Sequence, residues 1–157
     1  MTSRIALILS AILAGVTPVA ATDGSTATPV EAWQADPATR FDAADVSLED
    51  FQWIARPIVV FADTPADPRF RQQMDHLAAR TDALAERDIV VITDTDPSVG
   101  SDIRRKLRPR GFMLAIIGKD GTVKLRKPLP WDVREISRSI DKMPLRKQEI
   151  RDQRLTQ

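Results

Sequence analysis

The residues best placed to do chemistry lie in one short stretch, Asp63-Thr64-Pro65-Ala66-Asp67, with Arg69 and Arg71 just beyond. Two carboxylates and a hydroxyl followed by guanidinium groups could hold a small polar ligand, or serve it as acid and base. The same residues have a plainer use. Asp67 before Pro68 is the carboxylate cap and first-turn proline of a helix, and Pro65 shapes the turn ahead of it. Asp63, Thr64, Asp67 and Arg69 are therefore candidates for ligand binding, and none is assigned a catalytic role.

A second constellation is basic: Arg104-Arg105-Lys106, Arg108, Arg110, Lys124, Arg126 and Lys127. Lys124 and Arg126 share one strand face by the period of two. Arg104, Arg105, Lys124 and Arg126 are the candidate anion-binding residues, for phosphate or an anionic surface. No aromatic residues are interleaved for base stacking, which argues against nucleic acid. The single histidine, His76, lacks the partners that a metal site or a catalytic triad requires. No metal or other cofactor is expected. The chain contains no cysteine, so thiol–disulfide exchange and cysteine peroxidase chemistry are excluded, because both need a thiolate.

The elements that position these residues follow from periodicity. Ile58-Val59-Val60-Phe61 and Ile89-Val90-Val91-Ile92 are continuous apolar runs of buried strands. Between them, Phe70, Met74, Leu77, Thr81 and Leu84 make one helical stripe. Val99, Ile103 and Leu107 mark a short helix. Phe112 to Ile117 is a third strand, and Lys119-Asp120-Gly121 signals a hairpin returning through Val123 to Leu125. Asp132 and Glu135 form a capping box for a helix with Val133, Ile136, Ile140 and Met143 inward. Pro144 interrupts it, and residues 145–157 form a charged, helical tail. Ser47 and Asp50 support a short helical turn. Residues 22–44 show no sustained period and are expected to be a linker or irregular arm, pinned by Trp33 and Phe41. The order strand, helix, strand, helix, strand, strand, helix is the βαβ plus ββα layout of a thioredoxin-like α/β three-layer sandwich, a single domain over residues 45–144.

The N-terminus reads as an address. Arg4, the apolar run Ile5 to Val16 and Val19-Ala20-Ala21 match a signal peptide over residues 1–21. The run is shorter than the ~20 residues that span a bilayer. A periplasmic or secreted protein is expected, with no transmembrane span after cleavage, and export again argues against nucleic acid. Net charge is +1, but it is unevenly placed: Thr22 to Ile103 holds 6 Lys/Arg and 16 Asp/Glu, and Arg104 to Gln157 holds 16 and 6. The halves either neutralise each other in the fold or form a face for an acidic partner.

The stretch Leu48-x-x-Phe51-x-Trp53-x-x-Arg56-Pro57-Ile58-Val59-Val60-Phe61 resembles a domain-of-unknown-function family of short exported bacterial proteins, whose domain recurs in animal matrix proteins of the sushi-repeat-containing and coiled-coil-domain-containing type. Arg87-Asp88, Gly118-Lys119-Asp120-Gly121-x-x-Lys124 and Met143-Pro144-x-Arg146-x-Gln148-Glu149 extend the resemblance across residues 46–151. It implies a thioredoxin- or peroxiredoxin-like fold and no established activity. The cis-proline position of redox thioredoxins falls near Phe112 or Met113, where no proline stands. The expectation is a non-catalytic binding or interaction module whose partner is an envelope protein or an anionic ligand. Its competitor is a cysteine-independent enzyme using Asp63 or Asp67 with Arg69.

Overall fold

The computed structural model describes residues 27–156. The expected signal peptide at residues 1–21 lies outside the described residues. Chain order is α1 (Pro29–Ala35), β1 (Arg40–Asp42), a 3-10 turn (Glu49–Phe51), β2 (Arg56–Phe61), α2 (Pro68–Ala78), α3 (Thr81–Ala85), β3 (Ile89–Asp94), α4 (Asp102–Leu107), β4 (Met113–Ile117), β5 (Val123–Lys127), α5 (Val133–Asp141) and α6 (Pro144–Leu155).

The five strands form one sheet in the order β1-β3-β2-β4-β5. β3 is parallel to both β1 and β2, while β4 is antiparallel to β2 and β5. Every residue of β2 and β4 is buried, as central strands covered on both faces must be. The pleat sends alternate residues to two cores. Val59, Phe61, Val90, Ile92 and Ala115 pack with Trp33, Phe51, Ile103 and Leu107. Ile58, Val60, Leu114 and Ile116 pack with Met74, Leu77, Leu84, Ile136 and Ile140. Helices thus cover the sheet on both sides, giving the expected three-layer α/β sandwich.

Residues 22–44 are not an irregular arm where they are described. Thr28 caps α1 and Glu31 returns the bond to the Thr28 amide at 2.7 Å, a full capping box. β1 then adds an edge strand, with Phe41 opposite Ile92. Trp33 is buried, and its Nε1 donates to the Ile89 carbonyl at 3.1 Å. The expected single stripe from Phe70 to Leu84 is divided. Arg80 leaves helical backbone at φ −142°, ψ 48°, which separates α2 from α3. Val99 is exposed, because α4 starts only after the Ser101 cap. At α5 the Asp132 cap bonds the Arg134 amide at 2.6 Å, and Pro144 stands at the first position of α6.

Charges from the acidic and basic halves pair with one another within the chain, at its surface and beneath it. Lys106 pairs with Glu49, Lys119 with Asp88, and Arg87 with Asp141. Glu149 on α6 collects Arg56 at 2.8 Å, Lys119 at 3.1 Å and Arg146 at 3.4 Å. Arg56 and Arg146 are almost wholly buried, so this carboxylate supplies charge they cannot obtain from water. Burial pushes the Glu149 carboxyl up, and the hydrogen bonds from Arg56 and Lys119 outweigh it and hold the group below its ordinary range.

Candidate functional site

The C-terminal ends of β2 and β3 and the start of β4 make one edge of the sheet, where open α/β sheets bind ligands. The Asp63–Asp67 loop leaves β2 there. Thr64 turns the chain: its carbonyl accepts from the Asp67 amide at 3.2 Å and its hydroxyl from the Ala66 amide at 3.3 Å. Asp67 caps α2 by accepting from the Arg69 amide at 2.8 Å. The Arg69 guanidinium closes on the same carboxylate, with Nη2 2.9 Å from Oδ2. That contact holds the Asp67 carboxyl below its ordinary range. The Arg69 guanidinium also lies over the Phe112 ring, 5.6 Å from its centre. Thr64, Asp67 and Arg69 thus bond chiefly among themselves. Asp63 is the exposed carboxylate of the loop.

Arg104, from the basic set, reaches this loop. Its Nε and Nη2 donate to Asp94 Oδ1 at 2.9 and 2.7 Å, and Nη2 also donates to the Ala62 carbonyl at 2.8 Å. Ser101 donates its hydroxyl to the other Asp94 oxygen at 2.7 Å. Nη1 stands 3.7 Å from Asp63 Oδ1. Arg104 is therefore a tie between the ends of β2 and β3. Arg105 bonds Asp102 and the Gly100 carbonyl within its own turn. Lys124 sits at the bulge between Ile116 and Ile117 and pairs with Asp120 at 2.7 Å. It lines a cleft of about 160 Å³ with Arg56 and Pro144. Arg126 lines a different cleft, at the other end of β4.

That second cleft has a volume of about 270 Å³ and is bordered by four cations, Arg108, Arg110, Arg126 and Lys127. Phe112, Met113 and Pro128 form its apolar wall. Antiparallel pairing brings the end of β5 beside the residues that lead into β4, with Arg126 opposite Ala115 and Lys127 opposite Leu114, on alternate faces of the sheet. The Leu107 carbonyl at the end of α4 accepts from Arg126 Nη1, a favourable place for a cation. Lys127 Nζ lies 4.2 Å from the centre of the Trp131 ring. Gln73, fully buried on α2, holds Trp131 by both its amide and its carbonyl, at 2.7 and 2.9 Å. Among the described residues, none of the four cations pairs with a carboxylate. Arg108, Arg110 and Lys127 belong to the basic sequence set; what brings them to one cleft is the meeting of the end of α4, the approach to β4 and the end of β5.

His76 points to structure rather than chemistry, with Nδ1 3.3 Å from the Trp131 carbonyl. Among the described residues no group of three or more His, Asp or Glu side chains is placed to hold a metal ion. No described helix is long and apolar enough to cross a membrane.

No curated protein sequence matches this chain. Among solved structures, the chain is similar to the reduced 2-Cys peroxiredoxin of Plasmodium vivax, at 14% identity and a TM-score of 0.52, covering 61% of this chain and 81% of that one. It also aligns with desulfothioredoxin of Desulfovibrio vulgaris Hildenborough in its reduced form, at 19% identity and a TM-score of 0.48, covering 68% and 98%. At such identity the peroxiredoxin likeness shows the thioredoxin-like fold alone. A family model described as Domain of unknown function (DUF4174) matches residues 47–149, most of the sheet and its helices, and the chain belongs to that family.

Proposed function

We propose that this chain is a non-catalytic binding module, delivered outside the cytoplasm by residues 1–21, that holds an anionic ligand at the edge of the sheet where β4 begins. One observation carries the reading. Arg108, Arg110, Arg126 and Lys127 border one cleft without a paired carboxylate among the described residues, while Arg104, Arg105 and Lys124 are matched to Asp94, Asp102 and Asp120. Unmatched guanidinium groups around a concavity attract carboxylates and phosphates, which they bind bidentately. The absence of cysteine removes thiol chemistry from the same scaffold. Export is supported by the charged, apolar and small-residue pattern at the N-terminus.

The test is thermal shift at low salt with citrate, a sugar phosphate and their uncharged analogues. A ligand that binds the folded state raises Tm by mass action. The anions are expected to raise Tm, less so at 0.5 M salt, and Arg108→Ala with Arg110→Ala is expected to abolish the response. Equal shifts by the uncharged analogues, or an undiminished response in the double variant, would overturn the reading. Secretion of a fusion carrying residues 1–21 tests the export limb.

A further inference from the structure

We infer that the cleft between α4, β4 and β5 takes a small amphiphilic anion, a carboxylate or phosphate head on a one-ring or short-chain apolar body, rather than an inorganic ion or a polyanion. This deepens the anion-binding reading above and rests on it. The cations stand around a wall of Phe112, Met113 and Pro128, none of which offers a side-chain hydrogen bond. A bare phosphate needs donors on every oxygen, and this wall supplies none. An anion with an apolar body satisfies both parts, its head at the guanidinium groups and its body against the wall, where burial of apolar surface adds affinity.

Two of the surroundings are held in place beforehand. Arg126 is fixed by the Leu107 carbonyl, and the segment carrying Lys127 and Pro128 ends at Trp131, which Gln73 holds by two hydrogen bonds. A pre-ordered site binds without first ordering its own side chains. Size points the same way. About 270 Å³ lies just below the ~300–1,000 Å³ of sites for drug-sized molecules. That volume suits a single ring or a short chain.

Isothermal titration of the full chain separates the possibilities, with 3-phenylpropionate, its neutral amide and inorganic phosphate as probes. Phenylpropionate is expected to bind at least about tenfold more tightly than either of the others, since one ring buried against the wall carries more than one factor of ten. Pro128→Ser, at an exposed position, and Met113→Ser are each expected to weaken phenylpropionate about fivefold or more while leaving phosphate unchanged. Pro128→Ser keeps the test valid if Met113→Ser fails to fold. Phosphate binding as tight as phenylpropionate, with both variants silent, overturns the amphiphile and leaves the anion site standing. Retention on anionic vesicles with no affinity for phenylpropionate overturns it in favour of a membrane. No response to any anion removes both readings together.

Discussion

Arg104 binds Asp94 through two hydrogen bonds to one carboxylate oxygen, at 2.9 and 2.7 Å, and the Asp94 side chain is 4% exposed. Removing one member of such a pair strands the other charge in a dry place and costs about 3–5 kcal/mol. Asp94→Ala is expected to lower the urea midpoint accordingly. Arg104→Ala is expected to act on stability in the same direction while leaving anion affinity intact. A midpoint within error of the parent would show that water reaches the pair.

Glu149 sets an acid limit on α6. Its folded pKa lies below the ordinary 4.5, so its contribution is fully present above pH about 4.5 and is lost as pH falls through the lower folded value. Glu149→Gln leaves Arg56, Lys119 and Arg146 without that shared carboxylate. Its Tm is expected about 3–6 °C below the parent at pH 7, with the gap closing as pH falls to 3. A gap independent of pH would assign the loss to packing instead.

Trp33 fastens α1 to the sheet. Trp33→Phe keeps most of the ring's contacts but removes the donor to the Ile89 carbonyl, at a cost of about 1 kcal/mol. Trp33→Ala removes a buried ring as well and is expected to cost about 3–5 kcal/mol. Guanidinium unfolding followed by circular dichroism reads both. Equal costs for the two variants would mean that the hydrogen bond alone holds the helix.

Arg108 ends α4 in left-handed backbone, at φ 49°, ψ 58°. An L side chain there costs ~1–2 kcal/mol, which glycine avoids. Arg108→Gly is expected to raise stability by about 1 kcal/mol and to weaken anion binding. Both effects in one variant would identify the arginine as retained for its charge. A variant that is more stable and binds anions unchanged would remove Arg108 from the cleft's working parts.

Much of the frame can be read directly from local patterns. The apolar runs at Ile58 and Ile89, the Asp67-Pro68 helix start and the Asp120-Gly121 hairpin each depend on neighbours in sequence, and each stands where expected. α1 is legible too, since Thr28-Pro29-Val30-Glu31 spells a capping box with a first-turn proline. The Ala- and Asp-rich composition around it masks that signal. β1 is different: three residues, Arg40–Asp42, acquire strand character only by pairing with Val91, Ile92 and Thr93, a long-range relation without a local period. The cleft is legible only in part for the same reason. Which arginines are matched and which are left over depends on where distant carboxylates come to rest. Asp94 takes Arg104 across ten positions, while no described carboxylate comes to Arg110.

The rims of the sheet bear on how this molecule behaves in company. An open strand edge is a template on which another chain can add itself. One rim here is β1, only three residues long, too brief to seat a partner strand firmly. The other is β5, whose exposed Lys124 and Arg126, with Lys127 beside them, would face their own charges on an approaching copy. Brevity guards one side and like charge the other, so a cysteine-free domain of this kind can be crowded without being stitched into fibres, and two of the cations that bar a second copy, Arg126 and Lys127, are among those that would greet an anion.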